Sequence, residues 1–360
     1  MAGLIRVLVV DDSAFVRKVV SQMLTRSPFI DVVGIAHDGA EALEMVAQLE
    51  PDVVTLDLVM PGMDGLEFLR RQMAIKPVPV VVCSISHESG AAALEALDLG
   101  AVEFIQKPTA LATDRVFEIA DELVATVKAA AAVHVGSPRP SSLVSARSGG
   151  VSNGAATSGN AMEISPSTEG MRSDIVVIGV STGGPQALRQ VIPSFPANFP
   201  VPVAVVLHMP VGYTAMYAQR LNELSQLDVV EARDGDLIAA GTMFLAPAGR
   251  HLSFIRESDG TVRAHLDLRP FDSQHRPAVD VLFRSAAEVY GERVLGVVMT
   301  GMGNDGVVGS AHIKARGGRI LTEAESSCIV YGMPRAVVEA CVSDRVAPLG
   351  EIAATITEML

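Results

Sequence analysis

Positive charge is scarce in this chain. It carries 28 Lys and Arg against 41 Asp and Glu over 360 residues, a formal net charge of -13, with a pI of about 5.1. That balance argues against a nucleic-acid surface, whose affinity comes from cations placed on phosphates. Cysteine is scarce too. Cys83, Cys328 and Cys341 make an odd count without metal-ligand spacing, which suits a reduced cytosol better than a disulfide scaffold. No apolar run approaches the roughly 18 residues a membrane span needs. The N-terminus, MAGLIRVLVVDDS, lacks the charged region and small-residue cleavage site of a signal peptide. Together these absences predict a cytoplasmic, acidic protein with no nucleic-acid partner and no membrane insertion. Apolar residues, by contrast, are plentiful at 49%, with 31 Gly and 20 Pro, enough for two or three domains with sizeable cores.

Residues 4–130 alternate short Val- and Ile-rich runs, at 5–10, 32–36, 53–56, 79–83 and 102–105, with amphipathic stretches. Five such units predict a parallel sheet covered by helices on both faces, with chemistry at the carboxyl ends of the strands. Those ends are polar. Asp11 and Asp12 follow the first run, Asp57 ends the third, Ser84 follows the fourth and Lys107 follows the fifth. Three converging carboxylates repel one another unless a hard cation binds them, and oxygen-only ligands suit Mg²⁺. A carboxylate beside that cation can attack phosphorus and become an acyl phosphate, with Lys107 and Ser84 holding the phosphoryl oxygens. Read alone, the Asp11–Asp12 pair would simply cap a helix starting near Ser13. Five matched strand ends outweigh that reading.

This part of the sequence resembles a response-regulator receiver domain, through VLVVDDS, DLVMPGMDGLEFL and FIQKP. The resemblance implies a flavodoxin-like fold with Asp57 as phosphoacceptor. It gives Asp11, Asp12 and the backbone carbonyl of Val59 to Mg²⁺, and Ser84 and Lys107 to the phosphoryl group. Ser84 is preferred to Ser86 because it directly follows the strand. Phe104 occupies the position of the family's rotating aromatic, with core packing as the simpler alternative.

From residue 132 to 172 the composition shifts to Ser, Gly, Ala and Pro and all periodicity is lost, as in a flexible linker. Domains are accordingly expected at 1–131 and 173–360. The second is organised around IVVIGVSTGGP, Ile175 to Pro185. An apolar run there turns sharply at Ser181, and Pro185 can open a helix. A serine at such a turn can be a nucleophile or a phosphate ligand, with backbone N–H groups close by. His208 follows a second apolar run, Val201 to Leu207, and Asp305 lies in TGMGNDG after a third, Val294 to Met299. Ser, His and Asp at three strand-to-helix turns suit a nucleophile, a general base and a carboxylate that orients the base. The chain order differs from the Ser…Asp…His of α/β-hydrolases, but geometry rather than order defines such a site. The competing nucleotide-binding reading is weaker. GVSTGG is not G-x-G-x-x-G, and His208 stands where an acid would meet a ribose.

This half resembles the catalytic domain of chemotaxis protein-glutamate methylesterases, through GVSTGGP, LHMP, FLAPAGRH, HRPAVDVLF, MTGMGNDG and YGMPRAV. The fold expected for the whole is therefore α/β, two doubly wound parallel-sheet domains, the second Rossmann-like. The resemblance implies Ser181 as nucleophile, His208 as base and Asp305 as its partner. Thr182 would support the histidine, and the Met302 N–H would serve the oxyanion. The implied substrates are glutamate γ-methyl esters, and particular glutamines, on chemotaxis receptors. The implied phosphodonor is a chemotaxis histidine kinase. No cofactor is expected for the hydrolysis. HRPAVD would line the cleft or simply lead into a helix with Pro277 in its first turn. His251, His265, His275 and His312 lack paired ligand spacing, and Cys328 reads as buried and inert. An adaptor with a receiver would not need Ser, His and Asp at three turns. A transcriptional regulator is disfavoured by charge and by the lack of a basic helix-turn-helix. A receiver on a flexible tether could cover the approach to Ser181 and be released by phosphorylation.

Overall fold

The computed structural model describes residues 3–84, 90–107, 115–132 and 173–360. The expected linker lies almost wholly outside the described residues, as do the side chain of Ser84 and all of Ser86.

The first unit runs β1 (Ile5–Val10), α1 (Ala14–Leu24), β2 (Ile30–Ala36), α2 (Gly39–Leu49), β3 (Val53–Asp57), α3 (Gly65–Ile75), β4 (Val80–Ser84), α4 (Gly90–Asp98), β5 (Glu103–Gln106) and α5 (Arg115–Ala131). Its five strands are parallel in the order β2-β1-β3-β4-β5, the flavodoxin-like order. Helices α2, α3 and α4 bury one face and α1 and α5 the other. The order reverses between β1 and β3, which opens a crevice where Asp11, Asp12 and Asp57 emerge. Ser13, not either aspartate, caps α1, its hydroxyl accepting from Val16 N–H. Both aspartates are thereby left to other work.

The second unit runs β6 (Ile175–Val180), α6 (Gly184–Val191), β7 (Val203–Leu207), α7 (Thr214–Leu224), β8 (Asp228–Glu231), β9 (Thr242–Leu245), β10 (His251–Arg256), β11 (Val262–Asp267), α8 (Val279–Tyr290), β12 (Val294–Val298), α9 (Val307–Ala315), β13 (Arg319–Glu323), α10 (Met333–Glu339), β14 (Arg345–Ala347) and α11 (Ile352–Met359). Seven parallel strands take the order β14-β13-β12-β6-β7-β9-β8. Every residue of β6, β7 and β12 is buried, because helices cover both faces. That is why these strands read as unbroken apolar runs. β10 and β11 form a separate antiparallel hairpin that the sequence pattern did not announce. α8 begins at Val279 with Ala278 as its N-cap, so Pro277 lies before the helix and not in its first turn. No helix among the described residues is long and apolar enough to cross a membrane.

The two units touch. Phe104 lies against Tyr213 with ring centroids 4.7 Å apart, and one apolar cluster runs through both sheets.

Candidate functional site

In the first crevice, Lys107 Nζ lies 2.6 Å from Asp57 Oδ2 and 2.8 Å from Asp11 Oδ2. All three side chains are buried. Burial pushes the Asp57 carboxyl above its ordinary range, against the hydrogen bond and charge of Lys107, and Asp11 adds to the rise. Burial works against the Lys107 charge as well, but its hydrogen bonds to Asp11 and Asp57 prevail and hold the ammonium on. Val59 N–H donates to Asp57 Oδ1 at 3.2 Å, and Ser13 N–H to Asp11 Oδ1 at 2.9 Å. Asp11, Asp12 and Asp57 each offer an oxygen, all within 4.8 Å of one another. An oxygen-only, acidic donor set of this kind, with Asp11 and Asp57 buried and Asp12 exposed, fits a hard divalent cation.

In the second crevice the order of strands reverses around β6, between β12 and β7, and the three motif residues meet there. Val180 pairs with Leu207, and His208 N–H donates to Val180 O at 3.2 Å. That register sets His208 beside Ser181. The β12 side is tied in by Ser181 N–H, which donates to Thr300 O at 3.0 Å. A Cβ on Gly301 would come within 2.8 Å of the Ser181 Cβ. The chain leading to Met302 and Asp305 can therefore pass the serine closely only as glycine.

His208 Nε2 lies 2.9 Å from Asp305 Oδ2. Its other nitrogen, Nδ1, is buried and has no partner among the described residues. Asp305 also accepts N–H bonds from Val279 at 2.7 Å and Asp280 at 2.9 Å. Burial alone would raise Asp305, but His208 and these two N–H groups outweigh it and keep the carboxyl below its usual range. It is therefore ionised at neutral pH and accepts a proton-bearing Nε2. In the tautomer that donates Nε2–H to Asp305, Nδ1 carries the free lone pair.

The remaining expected residues sit around this core. Thr182 is buried and its carbonyl accepts from Thr300 Oγ at 2.9 Å. Met302 is 37% exposed beside the site. His275 and Asp280, the two ends of HRPAVD, also bear on it, as do Thr300 and Glu323, which the sequence did not single out. The His275 ring stacks on His208 at 4.0 Å; the residue is exposed overall, but the loss of water on its packed face, and then the His208 charge, lower its pKa. Thr300 N–H is held by buried Glu323 at 2.9 Å. Asp280 accepts from Gly306 and Gly309. His251 is structural, bracing Pro270 O and Ala278 N–H. Cys328 is only half-buried, yet burial and Glu323 push its thiol far up, which leaves it a poor nucleophile.

The first unit lies against the turn that carries Ser181. Gly183 N–H donates to Glu103 Oε2 at 3.3 Å and Gln186 Nε2 to Ala101 O at 2.6 Å. Asp98 is ion-paired with both Arg189 and Arg220.

A phosphoryl-type crevice and a hydrolase-type crevice in one chain define a response regulator whose output is an enzyme. Family comparison agrees. Residues 7–116 match the response regulator receiver domain model and residues 176–356 the CheB methylesterase model. The chain is 50% identical over 347 residues to a protein-glutamate methylesterase/protein-glutamine glutaminase of Myxococcus xanthus, covering 96% of this chain and 95% of that one. It is 46% identical to the protein of that name in Symbiobacterium thermophilum, covering 98% and 96%. The solved CheB methylesterase catalytic domain of Thermotoga maritima aligns with TM-score 0.51 at 41% identity, over 52% of this chain and 99% of that one. The chain belongs to the CheB methylesterase family.

Proposed function

We propose that the chain is a phosphorylation-regulated protein-glutamate methylesterase, and a protein-glutamine glutaminase, working as a serine hydrolase on chemotaxis receptors. The observation that supports this best is the setting of His208: one nitrogen is bound to an ionised Asp305, the other is buried and unpartnered among the described residues, and the strand register puts the residue itself beside Ser181. Ser181 Oγ attacks the side-chain carbonyl carbon of the glutamyl ester while Nδ1 of His208 takes the serine proton. The negative charge that forms on the carbonyl oxygen meets the N–H of Met302, and Thr182 supports the histidine. The tetrahedral adduct collapses, His208 returns the proton to the leaving oxygen, and methanol departs. Water then attacks the acyl-serine by the same proton route, leaving glutamate and free Ser181. An amide follows the same course with ammonia as leaving group, which gives the glutaminase activity.

In the receiver, Asp57 is the phosphoacceptor. Asp11, Asp12, Asp57 and the carbonyl of Val59 would hold Mg²⁺, which neutralises charge during phosphoryl transfer from a histidine kinase. Lys107 and Ser84 take the phosphoryl oxygens. Residues 132–172 link the two domains, 1–131 and 173–360. Docked as it is, the receiver restrains the enzyme by standing against Gly183 and Gln186, next to the nucleophile, and phosphorylation shifts the chain toward the undocked form.

Methanol release from methylated receptor membranes tests the hydrolytic assignment. Ser181→Ala should lose it by on the order of 10⁴-fold or more while Asp57 still takes up a phosphoryl group. Substantial methanol release by a folded Ser181→Ala chain would remove serine from the mechanism.

A further inference from the structure

Asp280 and Asp305 form a closed pair in which only Asp305 has so far been given a catalytic role. Helix α8 has no side chain of its own capping its start, because its N-cap is Ala278. Helix α9 has none either, because its N-cap is Gly306. A helix start leaves orphan N–H groups that need acceptors, and here each helix is capped by the acid of the other. Asp305 Oδ2 accepts from Val279 N–H and its Oδ1 from Asp280 N–H. In return, Asp280 Oδ1 accepts from Gly306 N–H at 3.0 Å and Gly309 N–H at 2.6 Å.

The return half of this ring fixes the catalytic carboxylate. Gly306 directly follows Asp305, so holding its N–H pins the peptide that carries the Asp305 side chain. The Asp280 N–H, at the other end, pins the Asp305 Oδ1 and turns Oδ2 toward His208. The two helices are also too close for slack. A Cβ on Gly309 would meet Phe283 Cβ at 2.5 Å and Asp280 Cα at 3.0 Å. Burial raises the Asp280 carboxyl above its ordinary range and nearby Asp305 pushes the same way, with the two glycine N–H groups opposing. A second acid in so crowded a place is costly unless it has work to do.

We propose that Asp280 is a positioning residue of the hydrolytic reaction, acting through Asp305 by reciprocal helix capping to hold the His208 tautomer in line with Ser181. The inference rests on the Ser181–His208–Asp305 reading. Misplacement of a catalytic group by about 1 Å costs about 100-fold, and the ring of hydrogen bonds is what prevents it.

The test is steady-state methanol release by the phosphorylated full-length chain, with thermal unfolding measured alongside. Asp280→Ala should lower kcat by about ten- to a hundredfold with KM changed less than about twofold. Asp280→Asn keeps an acceptor oxygen for both glycine N–H groups and should recover most of the loss. In an Asp305→Ala background, adding Asp280→Ala should cost almost nothing more, because the two residues act as one unit. Where Asp280→Ala does not fold, Asp280→Ser, with one short acceptor, takes its place in the same comparison. Unchanged kcat in Asp280→Ala, an equal loss in both backgrounds, a loss confined to KM, or an Asn variant as poor as Ala would each overturn the proposal. If Asp305→Ala alone kept full kcat, the triad reading would fall with it. A loss in Asp305→Ala with none in Asp280→Ala would overturn only the positioning role.

Discussion

Asp57 is buried at the end of β3 and Asp305 is half-buried in the loop after β12, each near the point where its sheet order reverses, yet the protein treats them oppositely. Asp57 has one N–H, one shared ammonium and a like charge beside it, and burial wins: its carboxyl is raised. Asp305 has two N–H donors and an imidazole, and burial loses: its carboxyl is lowered. The difference matches the role proposed for each. An attacking carboxylate needs lone pairs left open and a cation supplied when the donor arrives, so its site is under-coordinated. An orienting carboxylate must stay ionised, and three donors hold this one, two on Oδ2 and one on Oδ1.

The sharpest way to break this contrast is to neutralise each acid. Asp57→Asn should take up no phosphoryl group from a small phosphodonor, because a carboxamide cannot form the acyl phosphate, while unphosphorylated hydrolysis continues. Mass spectrometry locating one phosphoryl group on another residue of that variant would end the assignment. On the other side, His208→Ala should be nearly as damaging as loss of the serine. Asp305→Ala should leave more activity, on the order of 10²- to 10⁴-fold below the parent, since orienting the base is only part of the transition-state stabilisation. Equal rates for Asp305→Ala and the parent chain would mean that the three hydrogen bonds to this carboxylate serve stability alone.

Smaller effects should follow from loosening the contact between the two domains. Asp98→Ala unpairs Arg189 and Arg220 from the receiver. With coupling of about 1–3 kcal/mol available, it should raise methanol release by the unphosphorylated chain several-fold and leave the phosphorylated rate unchanged. A resting rate that fell would make the receiver an activator rather than a cover.

The smallest expected effect concerns Glu103. Burial pushes its carboxyl up to about 8 in the docked chain, against N–H bonds from Phe104 and Gly183 and with the help of the Glu122 charge. Undocked, it returns toward an ordinary carboxyl value. The docked form therefore holds the proton more tightly. Its contribution to docking is complete below the ordinary carboxyl range and is lost as pH rises through about 8. The ratio of phosphorylated to unphosphorylated rates should fall as pH rises from 5 to about 8, and Glu103→Gln should flatten that dependence. A ratio that kept the same slope in Glu103→Gln would assign the pH response to another group.

The sequence revealed some of these features and hid others for physical reasons. Strands buried on both faces, such as Ile175–Val180, announce themselves as apolar runs, and the polar residue ending each run falls at the reactive edge by topology alone. Asp280 was visible only as part of HRPAVD. Its role depends on Gly306 and Gly309, 26 and 29 residues away, and no local period encodes such a pairing. The stacking of His275 on His208 is equally non-local. Phe104 shows the limit most clearly. Its spacing from Lys107 suggested a switching aromatic or core packing, and the structure places it against Tyr213 of the other domain, a neighbour that only docking could reveal.

The apolar cluster that passes from Leu8 and Phe104 through Tyr213 to Ile178 without interruption has a consequence for how the chain melts. Two sheets sharing one cluster lend each other cooperativity. The resting protein should lose both in a single calorimetric transition. Phosphorylation, by parting Phe104 from Tyr213, should split that transition in two, so the shape of a heating curve would report the signalling state of the molecule with no substrate present.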